Sequence, residues 1–152
     1  MKSKQQATFE RELAASTLFA ALSPEQVHDL ARTATRAHEP KGMVFSKQGE
    51  RGDEIVVLLD GAVEVRHDDA VLAQLGPGDH FGEMALLDPT ARRSATVVAV
   101  TPVVVAYVSR HHFDTLIATN PSVRAAVERV RHERSVVREE PSGGQQPEGK
   151  TY

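Results

Sequence analysis

From Gly76 to Val97 the chain reads GPGDHFGEMALLDPTARRSATV. Gly76-Pro77-Gly78-Asp79 is a turn, one residue fixing φ between two that tolerate positive φ. Phe81 leads into a Gly82-Glu83 step, and Met84-Ala85-Leu86-Leu87 follows as one short turn of apolar helix formers. Asp88-Pro89-Thr90 breaks it, and Arg92-Arg93-Ser94 opens into the β-prone run Ala95-Thr96-Val97-Val98-Ala99-Val100.

These residue types in this order suit a small anion cradle. A short helix behind a glycine offers unpaired N–H groups to a phosphate. An arginine on the returning loop can fork onto the same phosphate through charge-assisted hydrogen bonds. The Ser94 hydroxyl adds a donor, whereas ionised Glu83 repels phosphate and suits a sugar hydroxyl. The expected ligand therefore carries a phosphate and a free ribose hydroxyl close together.

Phe81-Gly82-Glu83-Met84-Ala85-Leu86-Leu87, followed by Arg93-Ser94-Ala95-Thr96-Val97, resembles the phosphate-binding cassette of the cyclic nucleotide-binding domain family. The resemblance covers about residues 10 to 138. It implies Glu83 on the ribose 2′-hydroxyl and Arg93 on the cyclic phosphate, with Arg92 as the alternative phosphate ligand. It also implies Gly82, Met84 and Ala85 close to the ligand, the backbone of Gly82 and Ala85 in particular, and Ser94 on phosphate or base. The implied ligand is cAMP, with cGMP as the alternative. No further cofactor, metal or catalytic residue is implied, and the domain is expected to be a sensor, not an enzyme.

The rest of the chain is read around this stretch. Residues 1–8 are expected to be flexible and residues 9–37 helical, with Ser23-Pro24-Glu25-Gln26 as a capping box that starts a helix. Residues 38–109 carry short β-prone runs separated by turn signals, which predicts a sandwich or barrel. Asp60-Gly61, between Glu54–Leu59 and Ala62–Arg66, reads as a hairpin turn. The family resemblance makes this part an eight-stranded jelly-roll-like β-barrel with N-terminal helices and two C-terminal helices.

Residues 110–138 are expected to hold those two helices, the second opened by Asn120-Pro121 as cap and first-turn proline. Val123, Val127, Val130 and Val137 line one side of it, a stripe that suits either a homodimer seam or packing on the chain's own sheets. Residues 139–152, rich in Pro, Gly and Gln, are expected to be disordered and leave no room for a helix-turn-helix or enzymatic domain. The expectation is a stand-alone domain, 9–138, signalling to an unidentified downstream protein.

Composition narrows the alternatives. The 152 residues suit one core, and the net charge of −3 with a pI near 6.2 argues against nucleic-acid or membrane-surface binding. The absence of cysteine excludes disulfides and thiol catalysis, and no apolar run approaches a membrane span, so a cytoplasmic location is expected. Gly78-Asp79-His80 resembles a metallo-cupin motif, but the upstream His-x-His pair such sites need is missing. The remaining alternative is a domain that has lost its ligand and serves as an interaction module.

Overall fold

The computed structural model describes residues 3–46, 54–82 and 95–138. The chain begins with two helices, α1 (Lys4–Ala14) and α2 (Pro24–Thr33). The strands are β1 (Thr35–Glu39), β2 (Val44–Ser46), β3 (Glu54–Asp60), β4 (Val63–His67), β5 (Ala70–Leu75), β6 (His80–Phe81), β7 (Thr96–Ala99) and β8 (Val103–Ser109). Among the described residues two further helices follow, α3 (Arg110–Thr119) and α4 (Pro121–Arg138).

Among the described residues these strands form two antiparallel four-stranded sheets, one in the order β1-β8-β3-β6 and the other β2-β7-β4-β5. The expected jelly-roll-like arrangement with helices at both ends is present, but its sheets do not close into a barrel. The described ladders end at β1 and β6 in one sheet and at β2 and β5 in the other.

The alternation of side-chain direction along β3 and β8 explains the layering. Ile55, Val57, Ala106 and Val108 face a core shared with Leu13, Phe19, Leu30 and Phe113 from the helical side. Their neighbours Val56, Leu58, Val103 and Val105 face a second core, shared with Val63, Val65, Val97 and Ala99 of the other sheet. Both faces are covered, so these strands read as continuous apolar runs rather than alternating ones. The order of layers is helices, sheet, sheet.

Three expectations are corrected here. The Asp60-Gly61 turn does not make a hairpin, since β3 and β4 lie in different sheets. Gly61 has φ +88, and the corner it forms sits against the β7–β8 corner, where the Ala62 N–H donates to Thr101 Oγ1 at 3.0 Å. A Cβ at Gly61 would overlap the Pro102 carbonyl oxygen, so glycine is required by close approach as well as by φ. The hairpin signal instead belongs to β4–β5, where Asp68 (φ 49) and Asp69 (φ 68) form the two-residue connection closed by His67 and Ala70. Two successive positive φ values define the type I′ turn that matches strand twist.

The other corrections concern helix limits. Residues Lys4–Thr8, expected to be flexible, begin α1, because the Ser3 hydroxyl accepts from the Gln6 N–H at 3.1 Å and caps it. Residues Thr35–Ala37, expected to be helical, belong to β1, paired with β8 from Thr35↔Tyr107 to Glu39↔Val103. Ladder pairing there overrides a helix-tolerant composition. α2 starts as expected, with a reciprocal capping box between Ser23 and Gln26.

α3 and α4 lie on the helical side of the molecule. Phe113, Val123, Ala126 and Val127 are buried in the first core, so Val123 and Val127 are spent on the chain's own packing. The Asn120 carbonyl accepts from the Val123 N–H at 3.0 Å, while its side-chain oxygen accepts from Gln26 instead. No helix among the described residues is long and apolar enough to cross a membrane. The expected disordered tail, 139–152, lies outside the described residues.

Candidate functional site

The approach to the candidate site is built from the turn that precedes β6. The Asp79 carboxylate accepts from the Gly76 N–H at 2.9 Å, and Gly78 takes φ +94. This turn is stitched to β3 by Gly78 N–H to Leu58 O and Leu58 N–H to Asp79 O, both 2.8 Å. It is tied to the helical side by the Thr17 N–H, which donates to the Gly78 carbonyl at 3.2 Å. β6 then pairs with β3 through Val57↔His80 and Val56↔Phe81.

Gly82 follows, buried and with φ +98. That backbone state is disfavoured for any residue with a Cβ, which accounts for glycine at the exit from β6. Of the expected site residues, Gly82 is thus placed at the end of the last short strand before the cassette. Glu83, Met84, Ala85, Arg92, Arg93 and Ser94 lie outside the described residues.

The chain is described again from Ala95, which is buried in the same core cluster as Phe81. β7 begins at Thr96 and pairs with β4 from Arg66↔Thr96 to Val63↔Ala99. Both ends of the segment 83–94 are therefore rooted in the core between the sheets. The inner wall of that core is apolar: Val63 and Val65 of β4 are fully buried, with Leu72 and Ala73 of β5 packed beside them. The charged pair Glu64–Arg66, 2.7 Å, alternates with these valines along β4.

An aromatic row that the sequence reading missed runs beside the Phe81 anchor. Phe45 of β2 meets Phe81 edge-on, with centroids 5.5 Å apart and planes at 66°. On its other side Phe45 lies 6.5 Å from the Tyr107 ring. The Tyr107 hydroxyl donates to Glu39 Oε2 at 2.5 Å. Burial, and then the hydrogen bond and negative charge of Glu39, push the Tyr107 hydroxyl well above the usual tyrosine pKa. Phe45 follows a Lys41-Gly42 turn, and its aromatic β character was the available sequence signal.

The alternative metal reading finds little support in side-chain placement. The Asp79 carboxylate closes its own turn, and His80 is buried on β6. Among the described residues no three His, Cys, Asp or Glu side chains are grouped as metal ligands would be.

A cavity of about 270 Å³ separates α4 from the turn before β6, lined by Thr17, Leu75, Asp79, His80, Ala126 and Arg129 among others. It lies where the C-terminal helix meets the approach to the cassette.

Comparison with known proteins agrees with this geometry. The model of the cyclic nucleotide-binding domain family matches residues 37–120. The Pycsar effector protein PaPycTIR of Pseudomonas aeruginosa is 38% identical over 100 residues, which cover 66% of this chain and 32% of that protein. The cyclic AMP receptor protein of Thermus thermophilus is 34% identical over 113 residues, covering 71% of this chain and 52% of that one. The chain therefore spans only about a third to a half of the length of these relatives. Among solved structures, cAMP bound PfPKA-R superposes with a TM-score of 0.80 at 27% identity, over 88% of this chain and 46% of that one. With the cassette pattern in the sequence, the two-sheet core that roots its ends and a family match across β1 to α3, the chain belongs to the cyclic nucleotide-binding domain family.

Proposed function

We propose that this domain is a cyclic nucleotide sensor that takes cAMP in preference to cGMP and reports occupancy through α3 and α4 to a partner protein. The observation that carries the reading is the common rooting of Phe81-Gly82 and Ala95 in one core. That rooting supports the reading because the chain leaves the described core at Phe81-Gly82 and returns to the same core at Ala95, with both halves of the sequence pattern between or beside those points in the sequence. Glu83 accepts from the ribose 2′-hydroxyl, Arg93 forks onto the cyclic phosphate, and the Ser94 hydroxyl supports it. Arg92 is the alternative phosphate ligand. Two of the similar proteins carry cAMP in their names or titles, which favours cAMP here.

Signalling follows from two-state logic. A ligand shifts an equilibrium only by its difference in affinity for the two states, and such couplings are typically about 1–3 kcal/mol. α4 is the element with room to respond, because it lines the cavity beside the turn that leads into the cassette. The domain's part in this scheme is binding and movement, not catalysis.

Calorimetric titration of cAMP and cGMP into wild type, Arg93→Ala and Arg92→Ala tests the reading. The expected result is saturable binding that prefers cAMP and is lost by on the order of 2–4 kcal/mol in Arg93→Ala, because a desolvated phosphate is left unpaired. The same loss in Arg92→Ala alone would transfer the phosphate to Arg92. No heat and no shift in melting temperature with either nucleotide would leave an interaction module and end the sensor reading.

A further inference from the structure

We propose that Phe45 is a positioning residue for nucleotide binding, holding the Phe81–Gly82 end of the cassette in fixed relation to β7, where the chain leaves it. The inference deepens the sensor reading and rests on it for its ligand readout.

β2 is a short edge strand whose ladder partner is β7. It pairs through Val44↔Val98 and Ser46↔Val97, and the register shifts between them, so Phe45 occupies the irregularity. A bulge of this kind re-aims the side chain it carries. Val44 is exposed, whereas the Phe45 ring is partly buried against the core between the sheets. There it meets Phe81 at 5.5 Å and Tyr107 at 6.5 Å, both on the opposite sheet.

One residue thus connects the two ends of the segment 83–94 by different means. Its strand is hydrogen-bonded to β7, which the chain enters after the cassette. Its ring braces Phe81, which immediately precedes Gly82. Tyr107, held in turn by Glu39, backs the same ring from the far side. The pairing of β6 with β3 ends at Val56↔Phe81, so the ring contact acts at the point where that ladder stops. Phe45 is not offered as a ligand contact; its effect on affinity passes through Phe81 and Gly82.

The test compares Phe45→Leu with Phe19→Leu. Phe19 is fully buried in the other core, so its truncation destabilises the fold without touching the aromatic row. The expected result is a cAMP affinity about tenfold weaker in Phe45→Leu, from loss of an edge-to-face pair and its packing. Phe19→Leu is expected to keep wild-type affinity although its melting temperature falls at least as far. Wild-type affinity in Phe45→Leu, or an equal loss in Phe19→Leu, would overturn the proposal.

Amide hydrogen exchange of the ligand-free proteins separates this idea from the sensor reading. Faster exchange at Phe81, Gly82, Ala95 and Thr96 in Phe45→Leu, and not in Phe19→Leu, is expected whether or not a nucleotide binds. If wild type binds neither nucleotide, the sensor reading fails and exchange alone decides: unchanged exchange at those amides in Phe45→Leu overturns the positioning role.

Discussion

The Gln26 side chain donates from Nε2 to Asn120 Oδ1 at 2.6 Å, joining the first turn of α2 to the junction of α3 and α4. The other end of the same amide, Oε1, accepts from the Ser23 N–H at 2.8 Å and completes the capping box. One side chain therefore caps the N-terminal helix and holds the point at which the C-terminal helices turn. Gln26→Ala should lower stability by about 1–2 kcal/mol, the combined cost of a cap and a partly buried hydrogen bond. Asn120→Ala should be non-additive with it by at least about 0.5 kcal/mol in a urea-unfolding double-mutant cycle. Strict additivity would mean that the two residues act independently.

Glycine at the β3–β4 corner is required, whereas Gly76, in the turn before β6, is less constrained. Gly61→Ala forces a methyl group onto the Pro102 carbonyl at positive φ, and should cost more than about 1 kcal/mol. At Gly76 a Cβ would meet nothing within 4 Å, so Gly76→Ala should stay within about 0.5 kcal/mol of wild type. Thermal unfolding of the pair provides the check.

Asp69 occupies the left-handed region at φ 68, where a side chain is strained and glycine is not. Asp69→Gly should raise stability by roughly 0.5–1 kcal/mol and keep the β4–β5 register, because a type I′ turn favours glycine at its second position. A lower urea midpoint would show that the aspartate makes a contact worth more than the strain.

Tyr107 gives the fold an alkaline limit. Its pKa is raised in the folded chain above the ordinary tyrosine value of 10.0, first by burial and then by Glu39. A raised folded pKa means that the stabilisation is complete below the unfolded value, and is lost as pH climbs above about 10 toward the folded value. Wild type should therefore lose more stability than Tyr107→Phe as pH passes from about 9 to about 11. In a Tyr152→Phe background the remaining phenol should ionise later than free tyrosine by ultraviolet absorbance. Ionisation at the ordinary pH would refute the raised value.

The family could be recognised from sequence because its signature is local: turn, apolar stretch and returning β-prone run are contiguous in the chain, each with its own residue chemistry. The strands were also visible, since Glu54–Leu59 and Val103–Val108 are unbroken β-forming runs. What failed was long-range. Nothing local to Asp60-Gly61 says that the next strand joins the other sheet, a choice made by the second corner at Thr101-Pro102 packed against it. The β4–β5 turn was missed because two aspartates, not Asn-Gly, hold its positive φ values. The first part of β1, Thr35–Ala37, was taken for helix because Thr-Arg-Ala has no strong β former apart from threonine, and only pairing with β8 makes it a strand. The Phe45–Phe81 contact joins residues far apart in the chain, beyond the reach of periodicity.

The alternation along β3 has a consequence for how such a domain can be tuned. Ile55 and Val57 belong to the core beneath the helices, and Val56 and Leu58 to the core that roots the cassette. Neighbouring codons thus address different properties. A methyl group trimmed at position 57 acts on the core beneath the helices, whereas one trimmed at position 58 acts on the core between the sheets. Under the proposed sensor function, responsiveness and affinity would drift apart through single substitutions at adjacent positions, with no change to any group proposed to touch the nucleotide.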